Sequence, residues 1–132
     1  MNVQRVLSRG LLAAVPALVM FGAVAGPASA KDGDVQARGA CSGASVWKLK
    51  AGPRDGGIET EFQVDSNRNG QSWSVRITDN NVQVFAGTRK TVAPSGSFTV
   101  ERRIANRAGS DMIVATARNA ATGERCSATV NV

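Results

Sequence analysis

The chain has 132 residues, with 16 lysines and arginines against 10 carboxylates, two cysteines, no histidine and no tyrosine. That length bounds it to one domain once a leader is set aside, and the missing histidine removes the commonest general base and metal ligand. A formal charge of +6 is far from a histone-like excess and favours anionic partners only weakly.

Residues 1–30 read as a secretory signal peptide. Arg5 and Arg9 make a basic start, Leu11 to Ala25 is an apolar run broken by Pro16 and Gly22, and Ala28-Ser29-Ala30 is a cleavage motif before Lys31. The run is shorter than the roughly 20 residues a membrane span needs. Cys41 lies too far beyond it, behind Arg38, for lipid anchoring, so no membrane anchor is expected after cleavage. Cleavage after Ala30 leaves 102 residues, and loss of two arginines lowers the charge to +4. The predicted destination is extracellular, where cysteines can pair.

Lys31 to Ala40 is polar, contains glycine and shows no periodicity, which predicts a flexible leader; residues 41–132 are expected to form a single domain. Seven short segments with period-two patterning follow. Ser45 to Ala51 puts Trp47, Leu49 and Ala51 on one face and Lys48 and Lys50 on the other; Gly52 to Gly57 reads as a turn. Ile58 to Asp65 alternates most cleanly, with Ile58, Thr60, Phe62 and Val64 against Glu59, Glu61, Gln63 and Asp65. Ser66 to Gly70 turns into Gln71 to Asp79, where Trp73, Val75 and Ile77 point inward. Asp79-Asn80-Asn81 predicts a tight hairpin into Val82 to Thr88, because Asn tolerates left-handed angles. A longer link, Arg89 to Gly96, leads to Ser97 to Ala105, in which Arg102 falls on the apolar phase, implying a bulge or an exposed strand end. Asp111 to Arg118 and Glu124 to Val132 complete the set.

No segment carries a 3.6-residue apolar period, and there is no β-α-β alternation. The pattern predicts an all-β, antiparallel two-sheet sandwich of about seven strands with immunoglobulin-like architecture; a small β-barrel is the alternative. Cys41 precedes the first segment and Cys126 lies in the last, so a bond between them ties the ends of the domain together. A true immunoglobulin bond joins the second and sixth strands, and the buried tyrosine of many such domains is missing here, so only the architecture is expected to be shared. Trp73 sits where a sandwich places a core tryptophan.

Trp47-Lys48-Leu49-Lys50, Glu61 to Asp65 with Asn67 and Gly70 before Trp73, Ala93-Pro94-Ser95-Gly96-Ser97-Phe98, Asn106 to Gly109, and Thr122-Gly123-Glu124 before Cys126 form a recurring set. On these residues, roughly Cys41 to Val132, the chain resembles a group of small secreted actinobacterial proteins with a signal peptide and two terminal cysteines. The resemblance implies export and compactness and supplies no activity.

Each candidate site has a plainer reading beside it. Asp65, Asn67 and Asn69, with Gly70, match the opening of a calcium loop, but the twelfth position is Arg76, Arg68 adds a positive charge and Asp65 is the lone carboxylate, so a hairpin turn is preferred and no metal is expected. Glu59 and Glu61 could pair for acid/base work, but they fit a solvated strand face. Lys48, Lys50, Arg89, Lys90, Arg102, Arg103 and Arg107 form a basic set that suits an anionic polymer or, more plainly, protects exposed edges. Both tryptophans fall in apolar phase, so specific nucleic-acid binding by stacking is not expected. Cys41 and Cys126 lack C-x-x-C spacing and read as structural, and no serine has a histidine to activate it.

These residues favour a secreted, non-enzymatic binding module with no cofactor, its partner a cell-wall polymer or a secreted protein, displayed on loops such as Gly52 to Gly57 and Ser66 to Gly70. A protease inhibitor presenting Arg54 or Arg89, and a carrier holding a small apolar ligand near Phe85 or Phe98, are the alternatives. A wall-acting hydrolase is the weakest reading.

Overall fold

Period-two alternation becomes eight strands in the computed structural model, which describes residues 33–132. They are β1 (Val35–Ala40), β2 (Val46–Arg54), β3 (Gly57–Asp65), β4 (Ser72–Asp79), β5 (Val82–Lys90), β6 (Ser97–Ala105), β7 (Met112–Asn119) and β8 (Arg125–Asn131). The signal peptide and its cleavage site lie outside the described residues.

The strands form two antiparallel four-stranded sheets, ordered β1-β2-β3-β6 and β5-β4-β7-β8. Neither closes on itself, so the architecture is a sandwich and not a barrel. The inward rows interlock as one core: Leu49, Ile58, Phe62 and Val64 from the first sheet meet Trp73, Ile77, Ile113 and Ala115 from the second, all inaccessible to solvent. Phe98 wedges between Phe62 and Trp73, with ring centroids 6.5 and 6.2 Å away.

One expectation is corrected at the start of the domain. Residues 35–40 are not a flexible leader but β1, paired with β2 from Val35 opposite Ala51 to Ala40 opposite Val46. Val35 and Ala37 pack on the core, and Gly39 lies under the Trp47 ring, where a Cβ would collide. The inward row of Val, Ala and Gly is too small to register as an apolar alternation, yet it is what a strand beneath an indole requires.

Turns are tighter than the Gly52 to Gly57 stretch suggests. β2 runs through Pro53 to Arg54, and only Asp55 (φ 47°) and Gly56 (φ 78°) turn the chain, the positive-φ pair of a two-residue hairpin. Pro53 is tolerated because β1 pairing stops at Ala51. Asn80 and Asn81, at φ 47° and 67°, turn β4 into β5 in the same way.

Arg102 is explained by an exposed edge and not by a bulge. β6 pairs with β3 without interruption from Asp65 opposite Ser97 to Gly57 opposite Ala105. The bulge lies on β5: Ile77 faces Phe85 but Thr78 faces Gln83, so Val84 is the extra residue and Phe85 swings into the inward phase.

Candidate functional site

The cross-strand registers sort the charges into two unlike outer faces. On the first sheet, Lys50 lies opposite Glu61, Glu59 opposite Arg103, and Glu61 opposite Glu101. Asp34 sits over Gly52, its side chain 1 % exposed, and accepts from Arg54 Nη1 at 2.8 Å and Nη2 at 2.9 Å, with Lys50 Nζ 3.7 Å away. Arg54 is in turn held more firmly protonated, first by its hydrogen bond to Asp34. Arg103 reaches Asp55 at 3.8 Å and donates to the Arg54 and Asp55 carbonyls. Lys48, Lys50 and Arg103 therefore belong to a face of mixed sign. Glu59 and Glu61 line the same open face, Glu59 at 4.0 Å from Arg54.

The outer face of the second sheet is different. One row across the strands reads Thr88, Ser74, Arg118, Arg125; the next reads Ala86, Arg76, Thr116, Ser127; a third reads Gln83, Thr78, Val114, Thr129. Lys90 stands opposite Ser72 at the β5 end. No carboxylate occupies these rows, and none of Arg76, Lys90, Arg118 or Arg125 enters an ion pair among the described residues. Ser74, Arg76, Thr116, Arg118, Arg125 and Ser127 line an open recess of about 530 Å³.

The disulfide braces one edge of this face. Cys41 and Cys126 are bonded (S–S 2.00 Å), joining the chain just after β1 to β8 across the two sheets. Beside the bond, Ser42 N donates to the Arg125 carbonyl at 2.8 Å, and Arg125 N donates to Ser42 Oγ at 2.8 Å. Glu124 accepts from Gly43 N, Ser45 N and Ser45 Oγ at 3.0, 2.9 and 2.8 Å, which spends its charge on this loop.

The remaining basic residues are scattered. Arg89 and Arg102 place their Cζ atoms 4.9 and 5.6 Å from the Phe85 ring centroid, closing the sandwich between edge strands β5 and β6 by cation–π contact. Arg107 stands 3.9 Å from Asp79. Of the basic residues read from the sequence, then, Arg89 and Arg102 meet at one edge, Lys48, Lys50 and Arg103 share a mixed face, and Lys90 alone borders the basic face. Arg76, Arg118 and Arg125, outside that set, form its centre. Their signal was the strand parity of three segments whose outward positions hold no acid.

At the Asp65 loop, Oδ1 accepts from Asn67 N at 2.9 Å, while Ser66 N and Oγ donate to the Gly96 carbonyl at 3.0 and 3.1 Å. Asn67 at φ 57° and Gly70 at φ 79° shape the turn. Among the described residues no group of three or more Cys, Asp or Glu side chains is gathered where a metal ion could be held.

Asp79 and Asp111 are a further pair that sequence reasoning missed. The inward row Trp73, Val75, Ile77 ends in Asp79, and both carboxylates are 1 % exposed, with no hydrogen-bond donor on any of their four oxygens. Burial above all, then the apposed Asp111, raises Asp79 from 3.8 to about 6, against the opposing pull of Arg107. A protonated Asp79 can supply the missing donor.

Set against known protein families, curated proteins and solved structures, the chain matches none of them.

Proposed function

We propose that this chain is an exported, non-enzymatic binding module that takes an anionic partner on the outer face of the β5-β4-β7-β8 sheet. The observation that carries this reading is the segregation of charge: one face interleaves its cations with carboxylates, and the rows of the other hold cations and no carboxylate. Clustered cations of one sign raise the local concentration of oppositely charged ligands. Export is supported by the signal-peptide pattern of residues 1–30 and by the Cys41–Cys126 bond. The immunoglobulin-like reading is supported by the β3–β6 and β4–β7 pairings, which interleave the two sheets along the chain.

The test compares two variants with equal loss of charge. The mature protein is applied to a polyanionic matrix and eluted with salt. R76Q/R118Q/R125Q is expected to elute much earlier than wild type, and K48Q/K50Q/R103Q nearly with it. Equal shifts for the two triple variants would mean that net charge alone drives retention, and the assignment of this face fails.

A further inference from the structure

Arg118 on β7 and Arg125 on β8 are directly opposed on the basic face. Directly opposed side chains on neighbouring strands have Cβ atoms about 5 Å apart, and like charges there are destabilising. No carboxylate relieves this pair among the described residues. Arg76 lies diagonally next, because Arg118 faces Ser74 and Arg76 is two residues further along β4. The three arginines thus run obliquely across three strands, about 5 Å and then about 7 Å apart at Cβ. Two planar forks at the first spacing are suited to grasp one oxyanion, each by charge-assisted hydrogen bonds.

What surrounds the row discriminates between polymers. Ser74, Thr116 and Ser127 supply exposed hydroxyls on both sides of it. The aromatic side chains of the described residues all lie elsewhere: Phe62, Trp73 and Phe98 in the core, Trp47 against it, and Phe85 at the β5–β6 edge. Sequence-tolerant binding of single-stranded nucleic acid combines a basic groove with aromatic stacking platforms, and this face has no such platform. Hydroxyls alternating with cations suit a ligand that alternates hydroxyl and anionic groups.

Building on the proposed function, we infer that the ligand is an acidic glycan, and that Arg118 and Arg125 together hold one of its anionic groups while Arg76 meets the next. The basic row is then a subsite whose unfavourable arginine pair is relieved when the anion arrives.

The probes are polygalacturonate oligomers, neutral dextran and oligodeoxythymidylate, titrated calorimetrically against the mature protein at fixed salt. Polygalacturonate is expected to bind, with oligodeoxythymidylate at least tenfold weaker and dextran without signal. R118Q and R125Q should each weaken polygalacturonate binding about tenfold, the scale of one charge-assisted hydrogen bond. The double variant should lose little more, since one anion bridges both. R118K, which keeps the charge but not the fork, should fall between wild type and R118Q. Thermal midpoints of the single variants should equal or exceed that of wild type, a result that a structural role for either arginine would not produce. Equal affinity for oligodeoxythymidylate overturns the glycan assignment while leaving the anionic face in place. Additive losses in the double variant overturn the shared anion. Absence of binding to every polyanion overturns this inference and the proposed function together.

Discussion

Asp79→Asn is the substitution whose outcome depends most directly on the buried chemistry of this fold. In the folded chain Asp79 is raised from 3.8 to about 6, chiefly because it is buried and secondly because it faces Asp111. The folded state therefore holds the Asp79 proton more tightly than the unfolded chain does. The resulting stabilisation is complete below about pH 4 and is lost as the pH rises through about 6. A displacement of that size corresponds to about 3 kcal/mol at most. Local opening of the loop ends reduces what is measured to about 1–2 kcal/mol. An asparagine at position 79 carries its own donor for Asp111 at every pH. The assay is guanidinium unfolding followed by the fluorescence of buried Trp73, for wild type and D79N, between pH 4 and 7.5. Subtracting the two curves cancels the carboxylates remote from position 79. D79N should match wild type near pH 4 and exceed it by about 1–2 kcal/mol at pH 7.5. A difference that is flat with pH, or a D79N protein less stable at pH 7.5, refutes the raised Asp79 titration.

Reduction of the disulfide and two substitutions test the frame of the fold. Cys41 and Cys126 are 85 residues apart, so reduction should lower stability by roughly 4–5 kcal/mol in the chain-entropy account; unfolding curves with and without reductant measure this. Gly96 (φ 69°) is buried against the Asn67–Arg68 backbone, so Gly96→Ala should cost about 2 kcal/mol or more. Gly56→Ala, at φ 78° but facing open space, should cost only about 1 kcal/mol, and equal midpoints for the two variants would contradict the close approach.

Much of this fold is legible in residue order because strands declare themselves locally. The alternation from Ile58 to Val64 becomes the buried row of β3, and the Asn80-Asn81 pair takes the left-handed angles it was read to permit. Trp73 is fully buried, as its phase implied. Where local signals were weak the reading fell short: β1 hides in a row of Val, Ala and Gly, and the bulge at Val84 moves Phe85 from one phase to the other. A bulge is set by the partner strand and the hairpin geometry, so nothing in the residues around Phe85 announces it.

The candidate site divides along the same line. Residue order is enough to say which residues of each strand face outward, since that parity is a property of one extended chain. It could not determine which strands are neighbours, because β3–β6 and β4–β7 join segments far apart in the chain. Lys50 and Arg103 look like equals of Arg118 and Arg125 when charges are read along the sequence. In the folded chain Lys50 lies within 3.7 Å of Asp34 and Arg103 within 3.8 Å of Asp55, while Arg118 and Arg125 stand opposite each other. Only long-range strand pairing decides whether a cation is answered or left available, and that is where the binding face of this protein is made.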